Sequence, residues 1–197
     1  MSKASQGNPE KANTVNVKLV VLGKSLVGKS ALTYRFISDK FPTEHDTTVE
    51  DQYKVNLTIE EINCELEILD TAGQDDYQTM MDTWIEFGNC YLIVYSIDDE
   101  ESFNQVKFKY ERICQIKNNE QFSVLIVGNK CDLSDSERKV KTEEVENFCR
   151  SNGIEYLEAS ALKKVNVKEA FTQVVHDYLI KTKINNKEKG GICCPCF

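Results

Sequence analysis

The sequence lacks the features of a membrane-spanning, secreted or nucleic-acid-binding chain. It contains no apolar run of about 18 residues, the length needed for a spanning helix. Its first residues, MSKASQGNPEKANT, are polar and lack the apolar stretch of a secretory signal. Basic residues are outnumbered by acidic ones, and the formal net charge of −8 repels nucleic-acid backbones. We therefore expect a protein of the cytosolic side that binds no nucleic acid.

The chain has eight cysteines, but their spacing does not indicate a disulfide framework. Three of them, Cys193, Cys194 and Cys196, crowd the C-terminal residues, which indicates a separate role for that segment. The other five are scattered singly through apolar segments, as is typical of small core residues in a cytosolic protein. These five are Cys64, Cys90, Cys114, Cys131 and Cys149.

Strand-like and helix-like patterns alternate along the chain. Residues 91–95 and 124–127 are apolar on both faces, as buried parallel strands are, whereas 53–59 and 64–69 alternate and indicate an edge hairpin. Helical spacing of apolar residues follows most strands. The order predicts an α/β fold with a mostly parallel six-stranded sheet, one antiparallel edge strand and helices on both faces. The six strand segments are 17–22, 53–59, 64–69, 91–95, 124–127 and 156–159.

The composition fits one soluble domain, with 41% hydrophobic and 28% charged residues over 197 positions. The patterned part predicts a domain over residues 16–181. The polar residues 1–15 predict a flexible N-terminal extension. From about residue 182 the core-forming periodicity ends, which predicts a flexible C-terminal tail over 182–197.

The stretch GKSLVGKS, residues 23–30, follows the first strand and precedes a helix. It satisfies G-x-x-x-x-G-K-[ST], in which backbone N–H groups wrap a phosphate, Lys29 neutralises the outer phosphates and Ser30 ligates Mg²⁺. The alternative is a chance match at a plain strand-to-helix turn. A strand before the loop and a helix after it are the context that the motif requires, which disfavours a chance match. The loop therefore predicts a site for a nucleotide polyphosphate. Its candidate binding residues are Gly23, Ser25, Leu26, Val27, Gly28, Lys29, Ser30 and Ala31.

Asn129-Lys-Cys-Asp132 lies at the carboxyl end of a buried strand. The Asp132 carboxylate can accept two hydrogen bonds from the N1–H and amino groups of guanine, whereas adenine offers no such donor pair. Alone, the pattern is weak, and its ordinary interpretation is a polar turn after a strand. In a chain that also contains a phosphate loop, the pattern indicates guanine recognition by Asn129, Lys130 and Asp132.

Asp70-Thr-Ala-Gly-Gln74 follows another strand. An aspartate there can hold Mg²⁺ through its water shell, Gly73 leaves its N–H free to approach a γ-phosphate, and Gln74 can orient an attacking water. The ordinary interpretation is an Asp-Gly turn. Its order relative to the other two motifs favours a role in the same site.

Together, these motifs resemble those of the small GTPases of the Ras superfamily, within the Ras/Rap/Ral branch, over about residues 16–181. The resemblance implies a single P-loop GTPase domain that binds GTP and GDP with Mg²⁺ and hydrolyses GTP. It implies that Thr48 joins Ser30 and Asp70 at the metal, that Phe41 lies against the guanine ring, and that the backbone of Ser160 and Ala161 reads the guanine carbonyl. The implied catalytic residues are Gln74, Lys29, Thr48 and Gly73.

The resemblance also implies partners. These are exchange factors, GTPase-activating proteins and effectors, bound by a monomeric switch whose edge strand pairs with a strand of the effector. The implied effector segment is Val49, Glu50, Asp51, Gln52 and Tyr53.

Ser25 and Leu26 depart from the family pattern, which usually has glycine at both positions. A β-carbon at Ser25 points into the volume that Gln74 and an activator's arginine would share, and small displacements there reduce catalysis steeply. We therefore hypothesise slow hydrolysis; the alternative is that Ser25 is accommodated and Leu26 faces away. A protein locked with GTP is a second hypothesis. A metabolite kinase is disfavoured, because the guanine motif and Asp70–Gln74 have no role there.

The tail ends in Cys194-Pro-Cys-Phe197, which fits the C-a-a-X frame for a prenyl group on Cys194. Zinc binding is disfavoured because no second cysteine pair or histidine lies nearby. A palmitoyl chain on Cys193 and the lysines of the tail would add the second signal that stable attachment needs. We expect attachment to the cytoplasmic face of a membrane, the plasma membrane first; the alternative is an unmodified tail.

Overall fold

The computed structural model describes residues 14–42, 50–73 and 78–190. Strands and helices alternate along most of these residues. In chain order the elements are β1 Val15–Gly23, α1 Lys29–Ser38, β2 Glu50–Ile59, β3 Ile62–Thr71, α2 Gln78–Phe87, β4 Cys90–Ser96, α3 Glu100–Lys117, β5 Ser123–Asn129, α4 Thr142–Asn152, β6 Glu155–Glu158 and α5 Val167–Gly190.

One six-stranded sheet organises the fold, with the strand order β2-β3-β1-β4-β5-β6. Every neighbouring pair is parallel except β2 and β3, which form an antiparallel hairpin. The centre of the sheet is fully buried, because every residue of β4 and β5 is covered by helices on both faces. The predicted α/β fold, including the single antiparallel edge strand, is confirmed.

Two hydrophobic cores lie on opposite faces of the sheet. Successive residues of a strand point to opposite faces, so Val21 of β1 joins one core and Leu22 joins the other. The first core packs under α1 and α5, where Phe36 and Phe171 stack with ring centroids 4.2 Å apart. The second packs under α2, α3 and α4. These helices hold the carboxyl ends of the parallel strands in fixed positions, and that edge carries the predicted motifs.

The described cysteines are free thiols in or beside the cores. Cys64, Cys90 and Cys149 are buried, and Cys114 and Cys131 are half-buried. Burial raises the pKa of the Cys149 thiol to about 11, which keeps it protonated. Their packing agrees with the role of small core residues; Cys193, Cys194 and Cys196 lie outside the described residues.

The ends of the domain differ from the prediction. β1 begins at Val15, inside the predicted extension, and α5 continues to Gly190, past the predicted boundary at residue 181. The segment after 181 contains lysine and glutamate, which favour a helix by their own propensity, although it lacks the apolar stripe used to predict one. No helix of the described residues is long and apolar enough to cross a membrane.

Candidate functional site

A cavity of about 770 Å³ opens at the carboxyl ends of the parallel strands. This volume is in the range of small-molecule sites, and the position is where α/β sheets bind their ligands. Four residues of its wall were not predicted as site residues: Thr71, Ala72, Leu133 and Leu162. The predicted residues in its wall are Ser25, Leu26, Gly28, Lys29, Ser30, Ala31, Phe41, Gly73, Asn129, Lys130, Asp132 and Ala161.

The other predicted site residues fall into two groups. Gly23, Val27, Asp70 and Ser160 lie behind the wall, in the segments that support it. Thr48, Val49 and Gln74 lie outside the described residues. The effector residues Glu50, Asp51, Gln52 and Tyr53 lie on β2, which forms one edge of the sheet.

The loop GKSLVGKS connects β1 to α1 through unusual backbone conformations. Gly28 has a φ of +93° and precedes the first helical residue, Lys29. A β-carbon on Gly28 would lie 2.3 Å from Asn129 Nδ2, so only glycine fits there. Leu26 also has a left-handed φ of +65°, and its side chain is 89% exposed. This conformation favours glycine, so Leu26 adds strain without adding packing.

Lys29 places a buried cation at the amino end of α1. Its Nζ donates to the carbonyl oxygen of Lys24 at 3.0 Å. Burial lowers the pKa of Lys29 to about 8, and the nearby Asp70 carboxylate opposes that shift. A bound anion would restore full charge to this ammonium. The first N–H groups of a helix have no partner within the helix, so the amino end of α1 can bind an anion together with Lys29.

Asp70 is a buried carboxylate at the end of β3. Neither of its oxygens forms a regular hydrogen bond. Burial raises the pKa of Asp70 to about 6, while the nearby Ser30 hydroxyl and the Lys29 ammonium pull it down. A buried carboxylate beside a hydroxyl is a donor set suited to Mg²⁺, which prefers oxygen ligands. The residues present therefore fit this ion.

Gly73 lies directly against the loop GKSLVGKS. A β-carbon at this position would lie 2.4 Å from Ser25 N and 2.5 Å from Lys29 Nζ. Any larger residue would push the loop away, so glycine is required for this close approach. The contact also places the segment that leads to Gln74 beside Ser25.

Asn129 joins the loop after β1 to the loop before α5. Its side-chain Nδ2 donates to the carbonyl oxygen of Val27 at 2.8 Å, and its Oδ1 accepts from the N–H of Ala161 at 3.2 Å. The residue is buried. Asn129 was predicted to bind the base, which stays a prediction; in the structure its side chain also joins the loop after β1 to the loop before α5.

Ser160 orients Asp132, which faces the cavity. The Ser160 hydroxyl donates to Asp132 Oδ1 at 2.5 Å and accepts from the N–H of Lys163 at 2.9 Å. Lys130 keeps a left-handed φ of +67°, which turns the chain between the strand and Asp132. The resemblance implied a backbone role for Ser160, and its buried side chain adds a second one.

Sequence reasoning missed two carboxylates beside the cavity. Asp98 and Asp99 follow β4, and each forms an ion pair with a lysine from a loop of the site. Lys24 Nζ lies 2.9 Å from Asp99 Oδ2, and Lys130 Nζ lies 3.4 Å from Asp98 Oδ1. Their position at the end of a buried parallel strand was the signal that could have identified them.

Comparisons with known proteins agree on one family. A model of the Ras family matches residues 18–180. The Ras-like protein rasB of Dictyostelium discoideum is 41% identical over 179 residues, which cover 89% of this chain and 90% of that protein. The Ras-related protein R-Ras of Mus musculus is 42% identical over 158 residues, covering 80% and 72% of the two chains. R-Ras of Homo sapiens is 39% identical over 186 residues, covering 91% and 85%.

Proposed function

Because the chain belongs to the Ras family and is therefore a small GTPase that binds GTP and GDP, we propose that it is a Mg²⁺-dependent switch whose hydrolysis is slowed by Ser25. One observation carries the proposal: Gly73, which precedes Gln74, packs against the backbone of Ser25. The segment that must deliver the catalytic glutamine therefore passes beside a residue that has a side chain where the family usually has none.

The predicted site residues would supply binding and charge stabilisation. Lys29 and the N–H groups at the start of α1 would hold the β- and γ-phosphates, and the N–H of Gly73 would approach the γ-phosphate. Ser30, Asp70 and Thr48 would hold the metal, which when bound neutralises the charge that develops on the phosphates. Gln74 would orient the attacking water. Asp132, held by Ser160, would select guanine.

Ser25 and Leu26 have different expected effects on hydrolysis. The Leu26 side chain is exposed, whereas Ser25 lies against Gly73. Catalysis depends on sub-ångström placement of the water-orienting group, so a side chain at Ser25 is the more effective obstacle. This supports a slow intrinsic rate and a weak response to an activating protein's arginine.

Single-turnover hydrolysis of preloaded GTP with Mg²⁺ tests this proposal. We expect Ser25→Gly to raise the intrinsic or the activator-stimulated rate, while Leu26→Gly leaves both near the wild-type values. Gln74→Leu serves as the inactive control. Equal rates for wild type and Ser25→Gly, both sensitive to Gln74→Leu, would show that the serine is tolerated and the switch runs at an ordinary rate.

A GTP-locked binding protein is the second candidate, and the Ser25-Leu26 pair favours it. It differs from a slow switch in one measurable property. A locked protein would show no hydrolysis above buffer over many hours and no stimulation by an activating protein. Any rate that Gln74→Leu removes excludes it.

We further propose that exposed acidic residues of β2 contribute to effector binding. Glu50, Asp51 and Gln52 are exposed on a sheet edge, where a partner's strand can add by main-chain hydrogen bonds. Their charge favours a basic partner strand. Some proteins should bind the wild-type chain only when it is loaded with a GTP analogue, and Asp51→Lys should no longer bind them in a pull-down. Unchanged binding by Asp51→Lys would refute the assignment.

The C-terminal C-a-a-X sequence supports anchoring through a prenyl group on Cys194, at the cytoplasmic face of a membrane. The first target to examine is the plasma membrane, since clustered lysines favour anionic surfaces. Cys194→Ser protein should move to the soluble fraction of cells, with Cys149→Ser as a buried-cysteine control. Retention of Cys194→Ser protein on membranes would contradict this anchor.

A further inference from the structure

Lys24 lies in the loop GKSLVGKS, yet its side chain points away from the cavity and pairs with Asp99. Its Nζ pairs with Asp99 Oδ2 at 2.9 Å, across the gap between the loop and the start of α3. Both side chains are about one third exposed, at 31% and 35%, so the pair is partly shielded from solvent. This contact joins the loop after β1 to the loop after β4, which are 75 residues apart.

Asp99 is a firm attachment point. It caps α3, with its Oδ1 accepting from the N–H of Ser102 at 3.3 Å. Ser102 is buried, and its hydroxyl donates to the Asp99 carbonyl oxygen at 2.6 Å. Burial raises the pKa of Asp99, but the hydrogen bonds from Lys24 and Ser102 outweigh it and lower the pKa, so the carboxylate is charged at neutral pH. The α3 cap and the ion pair use different oxygens of one side chain.

The same lysine holds a residue of the site through its backbone. The Lys24 carbonyl oxygen accepts from Lys29 Nζ at 3.0 Å, and a β-carbon on Gly73 would lie 2.5 Å from the Lys24 carbonyl carbon. Leu26, two positions later, is held in a left-handed conformation. A loop that contains a strained residue needs other contacts to hold its shape. The Lys24 side chain supplies one from outside the cavity.

We propose that Lys24 and Asp99 are positioning residues for the nucleotide: their ion pair anchors the phosphate loop to the cap of α3 and thereby slows the release of GDP. The tether acts through the Lys24 peptide on Lys29, and no group of the pair touches the ligand. The proposal rests on the proposed placement of the phosphates at Lys29 and α1. It joins Lys24, at a variable position of the GKSLVGKS loop, to Asp99, which lies outside the three sequence motifs.

Release of a fluorescent GDP analogue from the full chain, in Mg²⁺ buffer with excess unlabelled GDP, tests the tether. Lys24→Met removes the charge and keeps the length of the stem. Asp99→Asn keeps a good helix cap and removes the carboxylate. We expect each variant to release the analogue about three- to tenfold faster, as the loss of a charge-assisted hydrogen bond predicts.

Three further variants separate positioning from a general loss of stability. The double variant should be no faster than either single one, because both remove the same contact. Lys24→Arg, which can still pair, should stay close to wild type. Lys107→Met breaks the Lys107–Glu144 pair, which has the same 2.9 Å separation but joins α3 to α4; its release rate should not change.

The outcomes are distinct. Release at the wild-type rate in both single variants, additive acceleration in the double variant, or equal acceleration in Lys107→Met would each overturn the tether. A wild-type chain that retains the analogue in those experiments leaves the proposed function standing. A wild-type chain that fails to retain it at all overturns both the tether and the assignment of the phosphates to this loop.

Discussion

Leu26 is a leucine in a left-handed backbone conformation that favours glycine. At a φ of +65° a β-carbon crowds the neighbouring carbonyl oxygen, and the exposed leucine gains little burial in return. We expect Leu26→Gly to raise the free energy of unfolding by about 0.5–1 kcal/mol, after allowing for the extra freedom of glycine in the unfolded chain. Urea unfolding at a fixed GDP concentration measures this. Leu26→Ala keeps the β-carbon and should change little; equal stabilisation by both variants would disprove the strain argument.

Asn129 has the opposite character, because both the nitrogen and the oxygen of its side chain form hydrogen bonds. Removing it leaves the carbonyl oxygen of Val27 and the N–H of Ala161 without buried partners. We expect Asn129→Ala to lower the free energy of unfolding by about 2–4 kcal/mol, the cost of two unsatisfied buried groups. Asn104→Ala, at an exposed position of α3, is the matched control for unfolding by urea. A loss of less than about 1 kcal/mol would mean that the loops are held together by other contacts.

At the scale of elements, α2 and α3 are joined by an ion pair that depends on pH. Arg112 donates to both oxygens of Asp82, at 2.8 and 2.5 Å, and these bonds lower the pKa of the Asp82 carboxyl. A lowered folded-state pKa stabilises the protein above the unfolded value of about 3.9 and ceases to do so as the pH falls through the folded value. Wild type should therefore exceed Asp82→Asn in stability by a constant margin from about pH 7 to pH 5.

That margin should shrink below about pH 4, and chemical unfolding at several pH values measures it. Asp135→Asn, in the loop between β5 and α4, is the control for a change in net charge. A margin between wild type and Asp82→Asn that stays unchanged down to pH 3 would show that shape or packing, rather than the charge of Asp82, joins the two helices.

The elements were largely predictable because their signals are local. Runs that are apolar on both faces became β4 and β5, and alternation became β2 and β3, because side-chain period follows directly from strand geometry. The β2–β3 turn carries no such signal. Glu60 and Glu61 both have left-handed φ values, where asparagine and glycine are the usual residues. The hairpin's cross-strand pairs, rather than its turn residues, determine this connection.

The site was predictable where it consists of motifs and unpredictable where it consists of contacts between them. Motif residues from three strand ends line one cavity because parallel strands end on the same edge of the sheet. The pairing of Lys24 with Asp99 depends on how the loops after β1 and β4 approach each other, and no local pattern encodes that distance. The same applies to Leu162, which enters the wall through the loop before α5.

At the scale of the whole molecule, the nucleotide is expected to act as a structural part of the domain. The cavity is lined by segments from all three thirds of the chain, so a ligand that binds only the folded state stabilises all of them together. At about 100 times its Kd, GDP with Mg²⁺ should add about 2.7 kcal/mol to the free energy of unfolding and raise the Tm of nucleotide-free protein by roughly 5–10 °C.

ADP should have little effect on the Tm, because Asp132 faces the cavity with an acceptor pair suited to guanine. Asp132→Asn keeps an oxygen for Ser160 but presents an amide donor to the guanine N–H groups, so its Tm should rise far less with GDP while the ligand-free Tm stays close to that of wild type. If ADP stabilises wild type as strongly as GDP, or if Asp132→Asn keeps the full shift, the guanine preference does not come from this carboxylate.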